Sequence, residues 1–183
     1  VHAAATHHES ARNDVQFEIT HEFDIPLDAL ELAFLSPDLG AKLAARLPHI
    51  EALTQVTHKV DVDRLERVWS FRANVKIPAF AQKYVTPEMC AWEETTVYDI
   101  RRHAASWRVR ANVKPEWQKY FASSGSYLLE PLETGRARRT VRGTLDLNVS
   151  LARGVAEKLV YSELVKKTFE AEAATLRELA TLG

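Results

Sequence analysis

The 183-residue sequence predicts an α+β fold: an antiparallel sheet of about six to seven strands, two short helices after the first strand, and a long C-terminal helix over one sheet face. Three observations carry this. Segments of alternating apolar and polar residues recur along the chain, most of them closed by short turn signals. Two proline-bounded helical stretches follow the first of these segments. From Ser150 the apolar spacing changes from two residues to near-helical and keeps that period.

The first strand is VQFEITHEFDI, residues 15–25. It sets Val15, Phe17, Ile19, His21 and Phe23 against Gln16, Glu18, Thr20, Glu22 and Asp24. Alternation of this kind describes a strand with one covered face. Pro26 ends it and suits the first turn of a helix, which the sequence predicts through about Leu35. Ser36-Pro37 breaks that helix and opens a second, from Pro37 to about Leu47, where Pro48 stops it.

Strands follow at residues 50–60 and 64–75 around a turn at 61–63, then at 91–100 and 104–113 around a turn at 101–103. PAFAQKY, from Pro78, reads as one helical turn or an irregular crossing. The last two strands are 126–132 and 136–149, joined by a turn at 133–135, with Val141, Gly143, Leu145, Leu147 and Val149 on one face. Residues 150–180 then place Val155, Leu159, Val165, Phe169, Leu176 and Leu179 on one side of a helix of about 30 residues, capped by Ser150. Hairpin connections imply an antiparallel sheet, and one helix covers only one of its faces.

The stretch WSFRANVK at 69–76 returns as WRVRANVK at 107–114. Beyond it the copies diverge, so the repeat reads as two strands under one constraint rather than a duplication. Each turns a tryptophan inward and Arg, Asn and Lys outward. Trp69, Phe71, Ala73 and Val75 share a face in the first copy; Trp107, Val109, Ala111 and Val113 share one in the second.

Composition narrows the function classes. With a formal net charge of -1 the chain has no general pull toward nucleic acid or anionic lipid. One cysteine, Cys90, excludes an intrachain disulfide and fits a reducing compartment. No apolar run reaches the roughly 20 residues of a membrane-spanning helix. Residues 1–13 read as a disordered tail before a single domain at 14–183; His2, His7 and His8 in that tail have no second cluster to complete a metal site.

Catalytic signatures are sparse. His49, His58 and His103 lie in unrelated segments, and there is no HExxH, CxxC or G-x-S-x-G. Gly125 and Gly135 read as loop glycines. Glu93 and Glu94 point to opposite faces; Glu94 shares its face with Trp92, Thr96 and Tyr98, and alternation leaves open whether that face is concave. In the run Arg136, Arg138, Arg139, Arg142, the third arginine takes the face opposite the others, and the run reads as a solvated edge or convex face.

The order strand, two short helices, strands, long helix resembles the helix-grip fold of the START, Bet v 1-like and polyketide cyclase-like (SRPBCC) superfamily. More narrowly it resembles an uncharacterised family of bacterial START-like proteins. The resemblance covers residues 15–179 and rests on element order rather than a short motif. It implies a curved sheet wrapped around the C-terminal helix, an elongated apolar cavity between them, and short helices closing one end. It also places residues 76–84, 115–121 and 151–159 near the cavity entrance. The expected function is binding or transport of a hydrophobic small molecule, lipid, sterol-like or polyketide-like. The expected contacts are Trp69, Phe71, Trp107, Val109, Leu145, Leu147, Leu159, Val165, Phe169 and His21. The same residues equally suit a filled core. The alternatives are an aromatase/cyclase-like enzyme using His21 or Glu94, and a non-catalytic protein-interaction module. No cofactor, metal, catalytic set or nucleic-acid partner is expected. The expected chain is a cytoplasmic monomer or homodimer with at most transient membrane contact.

Overall fold

The computed structural model describes residues 15–74, 90–112, 115, 118, 121–147 and 165–182. The strands are β1 (Val15–Phe23), β2 (Ile50–Val60), β3 (Arg64–Ala73), β4 (Ala91–Asp99), β5 (Ala104–Ala111), β6 (Phe121–Leu132) and β7 (Arg136–Leu147). They form one sheet in the order β1-β7-β6-β5-β4-β3-β2. Every neighbouring pair is antiparallel. The sheet curves around the C-terminal helix α3 (Lys167–Leu182), while α1 (Leu27–Leu35) and α2 (Leu39–Ala44) follow β1.

Local chemistry explains the boundaries. The Pro26 carbonyl accepts the Leu30 N–H and starts α1, and Ser36 leaves the helix in extended geometry. The regular part of α2 is shorter than the 37–47 expected, because the Arg46 and Leu47 N–H groups bond only three residues back. Leu39, Leu43 and Leu47 are nonetheless buried together. Thr134 and Gly135 take positive φ in the turn between β6 and β7, a conformation glycine adopts without steric cost.

Two readings are corrected. β6 begins at Phe121 rather than Ser126, and Gly125 lies inside that strand rather than in a loop. At Gly125 the Trp107 ring from the neighbouring β5 occupies the room a side chain would need. The outer ends expected for β3, β5 and β7 (Val75, Val113, Val149), the first part of the long helix (150–164), PAFAQKY and the tail histidines fall outside the described residues.

The register lines up inward residues in rows across the sheet. One row runs Leu65–Tyr98–Ala105–Tyr127–Val141–Ile19 over six strands. All six are buried. On the convex face Arg136 and Arg138 pair with Glu22, and Arg142 pairs with Glu18, as a solvated face would have it. Arg139, pointing the other way, is fully buried.

Candidate functional site

Two adjacent inward rows build the site. In the first, Trp69 lies opposite Glu94, Glu94 opposite Val109, and Val109 opposite Ser123. In the second, Arg67, Thr96, Trp107, Gly125, Gly143 and Phe17 follow one another across six strands. The glycines explain themselves here. A Cβ on Gly125 would meet the Arg142 carbonyl oxygen and come within 2.7 Å of Trp107 Cζ2; one on Gly143 would come within 2.5 Å of Phe17 Cζ. Their absence of side chains lets the indole lie against the sheet, where it packs on Phe169 at 5.8 Å and 60°.

Between these rows and the start of α3 lies an apolar pocket of about 50 Å³. Phe71, Trp92, Trp107, Val109 and Phe121 form its sheet side, and Val165, Thr168 and Phe169 its helix side. The Phe71 and Trp92 rings stack at 5.3 Å with 7° between planes. Glu94 and Ser123 are the polar residues on the sheet side. The Ser123 hydroxyl is spent on the Thr144 carbonyl at 2.9 Å. The face of Glu94 is thereby settled: it is concave. Thr96 donates to its Oε1 at 3.3 Å. Burial first, and then the charge of Glu172, pushes the Glu94 carboxyl up to about 7, against the pull of Arg67.

Behind the pocket sits a layer of buried charge. Arg139 donates from Nη1 to Glu172 Oε2 at 2.6 Å and from Nη2 to the Phe169 carbonyl at 3.0 Å. Arg67 donates to the Phe34 carbonyl at 3.1 Å, and its guanidinium lies 3.9 Å over the Trp69 ring. His21 Nδ1 lies 3.3 Å from Arg139 Nη2, and Nε2 lies 3.4 Å from Glu170. Burial, and then Arg139, pulls the His21 imidazole down to about 4, so it is neutral near pH 7.

Of the contacts expected from sequence, Phe71, Trp107, Val109, Val165 and Phe169 meet around the pocket. Trp69, Leu145 and His21 are buried on the same side of the sheet but away from that lining. The two repeat copies are out of step, since Trp69 shares a row with Val109 rather than with Trp107. The Leu147 side chain and Leu159 lie outside the described residues. Sequence reasoning missed Arg67 and Glu172. Arg67 carried a signal, because it falls in phase with Leu65, Trp69 and Phe71. Among the described residues no three His, Cys, Asp or Glu side chains gather as metal ligands, and no helix is long and apolar enough to cross a membrane.

Strand order, curvature and the gripped helix define a helix-grip protein. Residues 18–179 match the family described as "Protein of unknown function (DUF2505)", and the chain belongs to that family. None of the curated proteins matches it by sequence. Among solved structures, the chain is similar to a Thermus thermophilus protein, TTHA0849, at 18% identity and a TM-score of 0.60 over 92% of this chain and 98% of that one. It is similar to the Zhui aromatase/cyclase from a Streptomyces species, at 14% identity and 0.62 over 92% and 94%. It is also similar to norcoclaurine synthase from Thalictrum flavum, at 12% identity and 0.60 over 100% and 98%. At these identities the likeness is one of fold.

Proposed function

We propose that the chain binds an apolar small molecule in the pocket between sheet and α3 and moves a proton on it through Glu94, as an enzyme of the aromatase/cyclase kind. One observation carries this reading: among the described lining residues a single ionisable side chain, the Glu94 carboxyl, stands among rings, aliphatic groups and the two hydroxyl side chains of Ser123 and Thr168, and burial pushes it up to about 7. A carboxyl balanced near pH 7 donates to a carbonyl oxygen when protonated and takes a proton from the adjacent carbon when ionised. Both steps belong to enolisation, ring closure and loss of water. Thr96 holds one carboxyl oxygen, which fixes the direction of the other. The surrounding apolar wall strengthens each polar contact made inside it. That two proteins of like fold are named as an aromatase/cyclase and a synthase supports the enzymatic reading.

At about 50 Å³ the pocket has room for a few waters and is far below the roughly 300 Å³ of a typical ligand site. Binding a ring system therefore requires the lining side chains to shift. A carrier with no chemistry is the second reading. It is favoured by Glu94 being the sole ionisable side chain among the described lining residues. A single domain over 14–183 and a cytoplasmic location, from the lone cysteine, belong to the same proposal.

Native mass spectrometry after gentle purification, with extraction of bound molecules, tests it. The expected result is an apolar molecule with a carbonyl group that co-purifies with Glu94→Gln, is left unchanged by that variant, and is converted when the native chain is added. Conversion by neither protein leaves the carrier. No co-purifying molecule, and no binding across a panel of apolar compounds, overturns both readings.

A further inference from the structure

Burying a guanidinium removes its hydration, and the interior must return the lost hydrogen bonds and a counter-charge. Arg67 is 1% exposed and Arg139 is 0% exposed. One carboxylate, Glu172, stands between them. It accepts from Arg139 at 2.6 Å but lies 3.9 Å from Arg67 Nη2, beyond hydrogen-bonding reach. Nε and Nη2 of Arg67, Nε of Arg139 and Oε1 of Glu172 are all buried without a hydrogen-bond partner among the described residues. Burial lowers the Arg67 guanidinium from its usual value, yet a group starting so high keeps its proton. While Glu94 holds its proton, two cations against one anion among the described residues leave this layer short of a negative charge.

The pocket adjoins the layer. Thr168 in its wall lies one helical turn before Glu172, and the backbone carbonyl of Phe169, also in the wall, accepts from Arg139. On the sheet side, Thr96 lies opposite Arg67 and donates to Glu94. We propose, building on the pocket reading above, that the pocket takes an apolar molecule bearing one carboxylate, whose charge balances the excess of Arg67 and Arg139 over Glu172. The apolar body rests against the stacked Phe71 and Trp92 rings. Protonated Glu94 donates to the ligand carboxylate. A neutral molecule leaves the excess uncorrected, and a cation adds to it.

The same arrangement makes binding depend on pH. Glu94 is faced by Arg67 from β3, Glu172 from α3, Arg139 from β7 and Tyr127 from β6, with Thr96 beside it on β4. Above neutrality Glu94 ionises and competes with the ligand for the two arginines, so the acid is bound less tightly.

Calorimetric titration of the full chain with 2-naphthoate, 2-naphthamide and 2-naphthylmethylamine at pH 6.5 and 8.5 tests this. The expected order at pH 6.5 is acid, amide, amine, with the acid at least ~10-fold tighter than the amide, as expected for opposite charges at close range in a protein interior. At pH 8.5 that preference shrinks; in Glu94→Gln it is the same at both values. Arg67→Met loses the preference and still binds the amide. Should that variant fail to fold, the pH comparison between the native chain and Glu94→Gln still decides. An amide bound as tightly as the acid, or an amine bound more tightly, overturns the charge inference and leaves the pocket reading standing. If none of the three binds, both fall.

Discussion

Arg139 and Glu172 form an ion pair 2.6 Å long with neither side chain open to solvent, and it ties β7 to the gripped helix. A buried pair of this kind adds little over an apolar pair, but removing one member strands the other. Glu172→Gln therefore loses about 3–5 kcal/mol of unfolding free energy in urea, whereas Arg139→Met with Glu172→Leu recovers most of that loss. A loss below about 1 kcal/mol in the single variant, the range of an exposed pair, contradicts this picture of the core.

Stability responds to pH through two groups of opposite sense. Glu94 sits at about 7 in the fold and near 4.3 when unfolded. Its value is raised, so its contribution is full below about pH 4 and is lost as pH rises through 7. His21 sits at about 4 in the fold and near 6.5 when unfolded. Its value is depressed, so its contribution is full above about pH 6.5 and is lost as pH falls through 4. Each is worth up to about 3 kcal/mol, and between pH 4.5 and 6.5 the fall of the Glu94 contribution nearly offsets the rise of the His21 contribution. Glu94→Gln breaks the cancellation. It matches the native chain at pH 4 and exceeds its stability by up to about 3 kcal/mol at pH 8. Equal urea midpoints at pH 8 would count against the raised carboxyl.

Gly125 tolerates no side chain, because its Cβ would meet the Arg142 carbonyl oxygen and Trp107 Cζ2 together. The first is backbone and cannot swing away. Gly125→Ala is expected to cost about 1–3 kcal/mol or more, the range for overpacking, and to shift Trp107 fluorescence. Gly135→Ala meets nothing within 4 Å among the described residues, so its smaller cost comes from positive φ. Equal losses at the two positions contradict the packing account.

Val109 borders the pocket and is only partly buried, so a larger group there fills the void without breaking the central core. Val109→Phe should weaken binding of an apolar ligand at least ~10-fold while stability changes by less than about 1.5 kcal/mol. Unchanged affinity in that variant places the ligand elsewhere.

Much of this fold was legible because period and punctuation agree. His21 fell on the buried side of β1 by alternation alone, and the proline-bounded helices lie where Pro26 and Pro37 put them. β6 was not legible over its first five residues, because serine and glycine carry no apolar alternation. Pairing with β5 and β7 makes them a strand, and Gly125 leaves room for the Trp107 indole laid over it from β5. The site was legible in its rings and illegible in its charges. Phe71, Trp107 and Val109 announce an inward face, while an arginine in phase with them reads as surface until its partner on a distant helix is known. Glu94 was undecided for a related reason: Trp92, Thr96 and Tyr98 suit either face until strand pairing sets it beside Val109.

The enzymatic reading of the pocket and the pH dependence of acid binding both turn on Glu94 being an acid–base group brought near neutrality by burial and by Glu172. Carbon-13 NMR titration of the glutamate side-chain carboxyls, with Glu94→Gln to assign the resonance, measures this directly. The expected Glu94 midpoint is about 7. A midpoint near the ordinary glutamate value of about 4.3 contradicts it.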